Sequence, residues 1–528
     1  MAAIPALEFA DPKVIPLIAN DVRSTFLTHK TRSLDFRLVQ LRKLYWGLGS
    51  SRRWLKDNAN AIEAACKLDL GKGIFESNLT ELDFCATTLI YDINNLENWA
   101  KDEKAPDVPF DMKILRPKIR KDPLGTVLII GPYNFPVNLL ICPLAGAIAA
   151  GNTVVIKPSE NAPNVAVVMQ KVVEGYLDQS CYRVVQGAIP QSTALLEQKW
   201  DKIFYTGGAS VGTIIAKKAA ETLTPVVLEL GGRNPAIVTK NADIRLAARR
   251  LLWGKVHNAG QVCISQNYTL IDKEVFDGFV LEMRKAMKEY YPNGTRNTED
   301  FGRLINNRQW QRVKKMLDDS QGRILMGGDT DESDRYIEPT IIQVSSLTDS
   351  LIVEESFGPL MPLLPVSNLD EAIRVANEVH ATPLAMFPFG NKTETDRCLA
   401  EIRSGGASVN DGFMHGSLPT LAFGGIGDSG HGAYRGKASF DCFSHARTIV
   451  STPGWAEFLL AVRYPPYEGK LKMLRWMAPK PDFDREGKVN FSLVRYIVGL
   501  GATNKTGAMV RYLVVLLAAA GLRQYFGI

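Results

Sequence analysis

Four short β-rich runs, Thr126-Val-Leu-Ile-Ile130, Thr153-Val-Val-Ile156, Lys202-Ile-Phe-Tyr205 and Val226-Val-Leu228, are separated by helical stretches of the length a crossover needs. Such alternation implies a parallel sheet with helices on both faces, and sheets of this kind bind ligands at the carboxyl ends of their strands. Upstream, residues 34 to 100 read as helix: Leu38, Leu41, Leu44, Tyr45 and Leu48 recur at three and four, and Ile62, Ala65, Cys66 and Leu68 continue in kind. A second α/β set follows residue 263, with Tyr268-Thr-Leu-Ile271, an amphipathic stretch near 275 to 290 and strand-like runs across 340 to 375. The 528 residues are enough for two or three domains, here read as two α/β domains whose facing edges carry the unusual loops.

Composition narrows the function classes. Hydrophobic residues at 46% and charged residues at 22% are ordinary globular proportions. The net charge of +6 is diffuse over the first 450 residues, so no nucleic acid partner is expected. Seven Cys form no C-x-x-C pair and no zinc-ligand spacing, which points to free thiols in a reducing compartment and to no metal. The first 16 residues hold acids and prolines where a signal peptide needs a basic start and an apolar run.

Each strand of the first domain ends in a loop with chemical content. After Ile130 comes Gly131-Pro-Tyr-Asn-Phe-Pro136, whose prolines restrict the backbone around the Asn134 amide, a donor for an oxyanion. Lys157-Pro158-Ser159-Glu160 sets a cation and an anion three apart, suited to ribose hydroxyls. Thr206-Gly207-Gly208-Ala209-Ser210-Val211-Gly212 is a glycine-rich turn opening a helix, a place for a phosphate, although it does not match G-x-G-x-x-G. Glu229 follows in Leu228-Glu229-Leu230-Gly231-Gly232, and Cys263 closes Gly260-Gln261-Val262-Cys263. A thiol beside a glycine turn attacks a carbonyl carbon, and a carboxylate held in a second segment activates water against the acyl-thiol. His257 and His445 are read as structural, and the other six Cys (66, 85, 142, 181, 398 and 442) as packing residues.

Taken in order, these pieces resemble the aldehyde dehydrogenase superfamily. The pattern continues through Glu354-Glu-Ser-Phe-Gly-Pro359 and Phe423-Gly-Gly-Ile-Gly-Asp-Ser-Gly430, and the resemblance covers roughly residues 20 to 465. The short N-terminal portion and Arg463-Tyr-Pro-Pro466 look like the class 3 branch, which includes microsomal fatty aldehyde dehydrogenases. The resemblance implies Cys263 as nucleophile, Glu229 as general base, and the Asn134 side chain with the Cys263 backbone N–H as oxyanion hole. It implies that Lys157 and Glu160 hold the adenosine ribose, that Gly207 and Gly212 shape the pyrophosphate turn, and that Glu355 and Phe357 position the nicotinamide ribose and ring. One departure is Gly208, where class 3 relatives usually carry Ser. Glu160 repels a 2′-phosphate, which favours NAD as cofactor, with NADP possible for class 3 relatives.

The resemblance further implies an α/β fold with a Rossmann-type cofactor domain (1–105 and 127–231), a catalytic domain (232–424), a small β oligomerisation element (106–126 and 425–462) and assembly as a homodimer. Residues 463–528 are expected to form a basic and apolar tail. Lys470, Lys472, Arg475, Lys480, Arg485, Lys488, Arg495, Lys505 and Arg511 outnumber the acids there, and Tyr512 to Leu522 is uncharged. Cations near an anionic lipid surface gain roughly 1 kcal/mol each. Eleven uncharged residues fall short of the roughly twenty that span a bilayer, so a tail embedded on the cytosolic face of an internal membrane is expected, whether endoplasmic reticulum, lipid droplet or mitochondrial outer membrane. An anchored enzyme meets lipid-dissolved substrates. Long-chain aliphatic aldehydes lead, an apocarotenoid or isoprenoid aldehyde follows, and an aromatic aldehyde of quinone synthesis stands third. The rivals are a non-catalytic structural protein and a thiol esterase that works without cofactor.

Overall fold

The computed structural model describes residues 4–49, 58–478, 481, 483–489, 509 and 511–516. The chain divides into two compact units, Met1–Val108 with Pro117–Val450, and Pro109–Arg116 with Ser451–Ile528.

The first unit is built on two large sheets. A six-stranded sheet runs in the order Gly430–His431, Val226–Glu229, Lys202–Thr206, Thr126–Ile130, Thr153–Lys157, Tyr182–Val184. All its pairings are parallel except that of Gly430–His431, which lies antiparallel on Val226–Glu229. Chain order reverses between Thr126–Ile130 and Lys202–Thr206, and a crevice opens at such a switch point. The loops that follow these two strands are the Asn134 loop and the glycine turn, so topology alone brings them together. The seven-stranded sheet runs Arg323–Met326, Thr340–Gln343, Leu360–Val366, Tyr268–Asp272, Pro235–Val238, Ala385–Phe389, Gly406–Ala407. A three-stranded sheet of Glu103–Lys104, Lys118–Pro123 and Ser444–Ile449 and a two-stranded one of Thr330–Asp331 and Tyr336–Ile337 accompany the two large sheets.

The described residues between 34 and 100 are mostly helical, as the periodicity predicts, with Leu34–Leu48, Ala59–Leu70 and Asp83–Trp99 as the main elements; residues 50–57 lie outside the described residues. Leu68 is a correction: it is exposed, and Leu70 takes the core position. Asn138–Ala150 is buried at every residue, and the Glu81 carboxylate accepts from the backbone N–H groups of Val137 (3.2 Å) and Asn138 (2.8 Å) at its start. A carboxylate there satisfies orphan donors and opposes the positive end of the helix.

The strand-like reading of 340 to 375 holds only in part. Thr340–Gln343 and Leu360–Val366 are strands, but Glu354–Pro359 is loop and Leu369–Val379 is helix. The Asn368 side chain accepts from the Glu371 N–H, and Ala372, Ile373 and Ala376 turn one apolar face inward.

The second unit contains a 3₁₀ turn at Phe110–Leu115, where the Leu115 carbonyl accepts from the Ser451 N–H, and a helix at Lys470–Met477 that exposes Leu471 and Leu474. Of the expected tail, Tyr512 to Leu516 are helical and exposed; Lys480, Arg495, Lys505 and the apolar residues from Leu517 to Leu522 lie outside the described residues. Among the described residues, no helix is long and apolar enough to cross a membrane.

Candidate active site

Cys263 lines two cavities, and so do Thr206, Glu229 and Leu230. The larger, of about 940 Å³, follows the carboxyl ends of the six-stranded sheet. Its walls include Asn134, Lys157, Glu160, Gly207, Gly208, Glu355 and Phe357. The smaller, of about 230 Å³, is walled mainly by apolar and aromatic side chains, among them Phe84, Phe135, Leu139, Trp253, Ile264 and Phe413. All the sequence-derived site residues except Gly212 therefore line these cavities, which meet at a thiol with a roomy cavity carrying charged groups on one side and a smaller apolar one on the other.

Local chemistry explains each position. The Cys263 turn is fixed by Gly260, which has φ +77°; a Cβ there would lie 2.2 Å from the Gly358 carbonyl oxygen. Only glycine lets the nucleophile turn press against the Glu355–Phe357 segment. Gly430 does the same for Glu229: at φ +118° it pairs opposite Glu229, and a Cβ would meet the Leu228 carbonyl oxygen at 1.9 Å. The glycine-rich Phe423–Gly430 motif thus seals the sheet edge beside the carboxylate.

Asn134 is held by more than its prolines. Its Nδ2 donates to the Gln261 carbonyl at 3.0 Å, which engages one of two hydrogens, and its own carbonyl accepts from Asn258 Nδ2 at 2.8 Å and Lys72 Nζ at 3.3 Å. Lys157 Nζ lies 2.8 Å from Glu160 and also donates to the Pro158 carbonyl at 3.1 Å. The Gly207 N–H donates to the Glu229 carbonyl at 3.0 Å, tying the glycine turn to the base strand. Gly212 is buried in the first turn of the helix Ala209–Ala220. A Cβ on Gly208 would meet nothing within 4 Å, so the departure from Ser leaves open space and the backbone donors intact. Phe357 has φ +47° and packs edge-on to Tyr133, with ring centroids 5.9 Å apart.

Burial dominates the electrostatics. Burial pushes the Cys263 thiol up to about 12, Glu355 and Glu229 add to this, and Arg435 opposes it. Glu229 is buried, neither carboxylate oxygen has a hydrogen-bond partner among the described residues, and burial raises it well above the usual carboxylate range, with Arg435 opposing. Glu355 is raised by burial, against Lys255 and Arg312; Lys255 is lowered by burial, against Glu355.

Three residues escape sequence reasoning. Lys72 and Glu81 form a buried ion pair under the Asn134 loop, and Arg435 lines the apolar cavity. Nothing local in the sequence marks them, because a lone charge reads as solvated surface. His257, read as structural, stands in the apolar cavity wall; its Nδ1 is 2.9 Å from Glu76, and its Nε2 is buried without a partner among the described residues. His445 lies exposed on Ser444–Ile449, away from both cavities. Five of the remaining Cys are buried and Cys442 is half-buried; none lines either cavity.

The aldehyde dehydrogenase family model matches residues 34–449. The chain belongs to the aldehyde dehydrogenase family. It is similar to the beta-apo-4′-carotenal oxygenase of Neurospora crassa, 52% identical over 95% of this chain and 94% of that one. It is also similar to human aldehyde dehydrogenase family 3 member B1, at 41% identity over 86% of this chain and 95% of the relative. Among solved structures, a substrate-bound state of Staphylococcus aureus AldH superposes with a TM-score of 0.83 at 36% identity, covering 88% of this chain and 99% of that one. These matches place the protein on the class 3 branch and make it an aldehyde dehydrogenase enzyme with an aldehyde substrate. The family's cofactor is NAD or NADP, and the larger cavity has the size and donor set for a dinucleotide: the Lys157 and Glu160 pair, a glycine turn and the N-terminus of a 12-residue helix.

Proposed function

We propose that this enzyme oxidises long apolar aldehydes, apocarotenals foremost, to carboxylates with NAD. The observation that carries the reading is the placement of Cys263 between a dinucleotide-sized cavity and an apolar one lined by aromatic rings. The sequence alone ranks fatty aldehydes first. Similarity to the Neurospora protein, named for an apocarotenal and covering 95% of this chain, reverses that order. The apolar lining keeps the fatty aldehyde as second reading.

In the proposed chemistry the Cys263 thiol loses its proton to solvent, and the thiolate sulfur bonds to the aldehyde carbon. The free Asn134 N–H and the Cys263 backbone N–H stabilise the oxyanion that forms. Bound NAD supplies the hydride acceptor, which leaves a thioester on Cys263. Glu229 then takes a proton from water as its oxygen adds to the thioester carbon; the C–S bond breaks, the thiol is regenerated and the carboxylate departs. Lys157 and Glu160 would hold the adenosine ribose, Gly207 and Gly212 the pyrophosphate, and Glu355 and Phe357 the nicotinamide end. The Glu160 carboxylate disfavours a 2′-phosphate, which is the reason for choosing NAD over NADP.

We further propose a homodimer and a membrane-surface location. The exposed strand Ser444–Ile449 is an open edge of its three-stranded sheet, available to a second copy. The basic stretch from Lys470 onward, followed by the uncharged run from Tyr512, supports attachment to an anionic leaflet on the cytosolic side of an internal membrane. The sheets would divide the chain functionally as cofactor domain (1–105, 127–231), catalytic domain (232–424), bridging element (106–126, 425–462) and tail (463–528).

The test is NADH formation by the full chain, with Cys263→Ser beside it, on alkanals of rising length, an apocarotenal and a hydroxybenzaldehyde. Turnover fastest on the apocarotenal and lost in Cys263→Ser supports the reading. Rates that climb only with alkyl length favour the fatty aldehyde, and turnover of the aromatic aldehyde alone overturns both. Absence of any turnover returns weight to a structural role, and NAD-independent acyl transfer to an esterase.

A further inference from the structure

Among the described residues that line the apolar cavity, Arg435 is the one Lys or Arg side chain. It is buried in the wall, its guanidinium 4.3 Å from the Phe423 ring centroid, 4.9 Å from that of Phe84 and 5.5 Å from that of Tyr434. It donates to the Gly416 carbonyl, its Nε has no partner, and it forms no ion pair among the described residues. A buried guanidinium without a counter-ion is costly, and its nearest fixed support is aromatic. The same cavity holds the complementary defect: Glu229, whose two carboxylate oxygens are equally unpartnered.

The backbone ties these two groups together. Gly430 pairs with Glu229, Leu230 N–H donates to the Ser429 carbonyl at 3.1 Å, and Phe423 bridges Tyr434 through reciprocal backbone bonds of 2.9 Å. The Arg435 N–H donates to Ser439 Oγ at 2.7 Å, which closes the loop. The segment that carries Arg435 is therefore stitched to the strand that carries Glu229.

We propose that Arg435 is a positioning residue for the hydrolytic half of the reaction, its guanidinium being the counter-charge that keeps Glu229 available as the carboxylate base. The proposal rests on the reading of Glu229 as that base. The titratable groups that line the cavity with Glu229 are Cys263 from the nucleophile turn, His257, whose Nδ1 is 2.9 Å from Glu76, and Tyr434 and Arg435 from the C-terminal segment; Glu355 acts on the Cys263 side. Of these only Arg435 is a permanent cation. It favours the charged form of Glu229 and opposes the burial that disfavours it. It opposes the same burial effect at Cys263, so one residue biases both reacting groups toward their active states.

The experiment is rapid-mixing kinetics with NAD and an aldehyde that the enzyme turns over, separating the NADH burst from the steady rate of thioester hydrolysis between pH 6 and 10. Wild type, Arg435→Met, Arg435→Lys and Glu229→Gln are compared. The expected result is a hydrolysis midpoint moved up by about one pH unit in Arg435→Met, equal to an about tenfold loss at pH 7, with Arg435→Lys close to wild type. An unmoved midpoint in Arg435→Met overturns the proposal. If Glu229→Gln leaves hydrolysis unchanged, the base assignment has failed instead. Should Arg435→Met not fold, Arg435→Gln is read against Arg435→Lys by the same rule.

Discussion

The Lys72 ammonium lies 2.8 Å from the Glu81 carboxylate, and neither side chain is exposed to solvent. One pair organises two parts of the site. Lys72 Nζ also donates to the Asn134 carbonyl and sits 4.5 Å from the Phe135 ring centroid, while Glu81 caps the helix that follows the Asn134 loop.

Removing one member strands the other. Lys72→Met leaves a buried carboxylate at Glu81 with no counter-ion, held only by the Val137 and Asn138 N–H groups, and breaking a buried pair this way typically costs about 3–5 kcal/mol. Chemical denaturation should show a loss of that size, and Lys72→Met with Glu81→Gln should recover part of it. A single variant within about 1 kcal/mol of wild type means that the pair does not support the loop.

Cys263 reacts as its thiolate, and burial holds the thiol near 12 in the free protein. The thiolate fraction therefore grows tenfold per pH unit from neutrality upward. Alkylation of the cofactor-free enzyme by iodoacetamide should rise in step from pH 7 to pH 10. A plateau below pH 8 contradicts the burial argument, since it places the titration far lower.

Glu229→Gln should separate the two halves of the reaction. Loss of a general base costs typically 10²–10⁴-fold, here in thioester hydrolysis. About one equivalent of NADH per active site should appear in a burst, followed by a near-zero steady rate. Asn134→Ala instead removes an oxyanion donor, and should slow the burst itself by about 10²–10³-fold with substrate binding kept. A normal burst in Asn134→Ala removes that residue from the oxyanion role.

The catalytic loops are legible in the sequence because each follows a β-rich run and carries Gly, Pro or Asn in a fixed pattern. Thr126–Ile130, Val226–Glu229 and the turn at Cys263 lie where those patterns put them. Lys72 and Glu81 stand nine residues apart, but the groups they support, Asn134, Val137 and Asn138, lie more than fifty residues on, and Arg435 meets the Phe84 ring across the chain, so none of the three is legible. The strand-like reading around Glu354–Pro359 fails for a related reason: a buried apolar run on either side of a loop looks continuous until the Asn368 cap declares a helix. Leu68 fits the helical spacing yet faces outward, because the neighbouring elements cover only one side of its helix.

Asp92 offers a test of stability against pH that does not involve catalysis. It lies in Asp83–Trp99, fully buried, with both carboxylate oxygens unpartnered among the described residues, and burial pushes it up to about 8. In the unfolded chain the same group titrates near its ordinary value of about 3.9. The folded form therefore binds a proton that the unfolded form has lost between about pH 4 and pH 8. Stability contributed by the protonated carboxyl is fully present below pH 4 and is lost as pH rises through 8. Asp92→Asn removes the ionisation and keeps the shape, so its advantage over wild type should grow from pH 5 to pH 8 and then level off. Denaturation midpoints that stay parallel for the two proteins across that range would show that Asp92 is paired or solvated in solution.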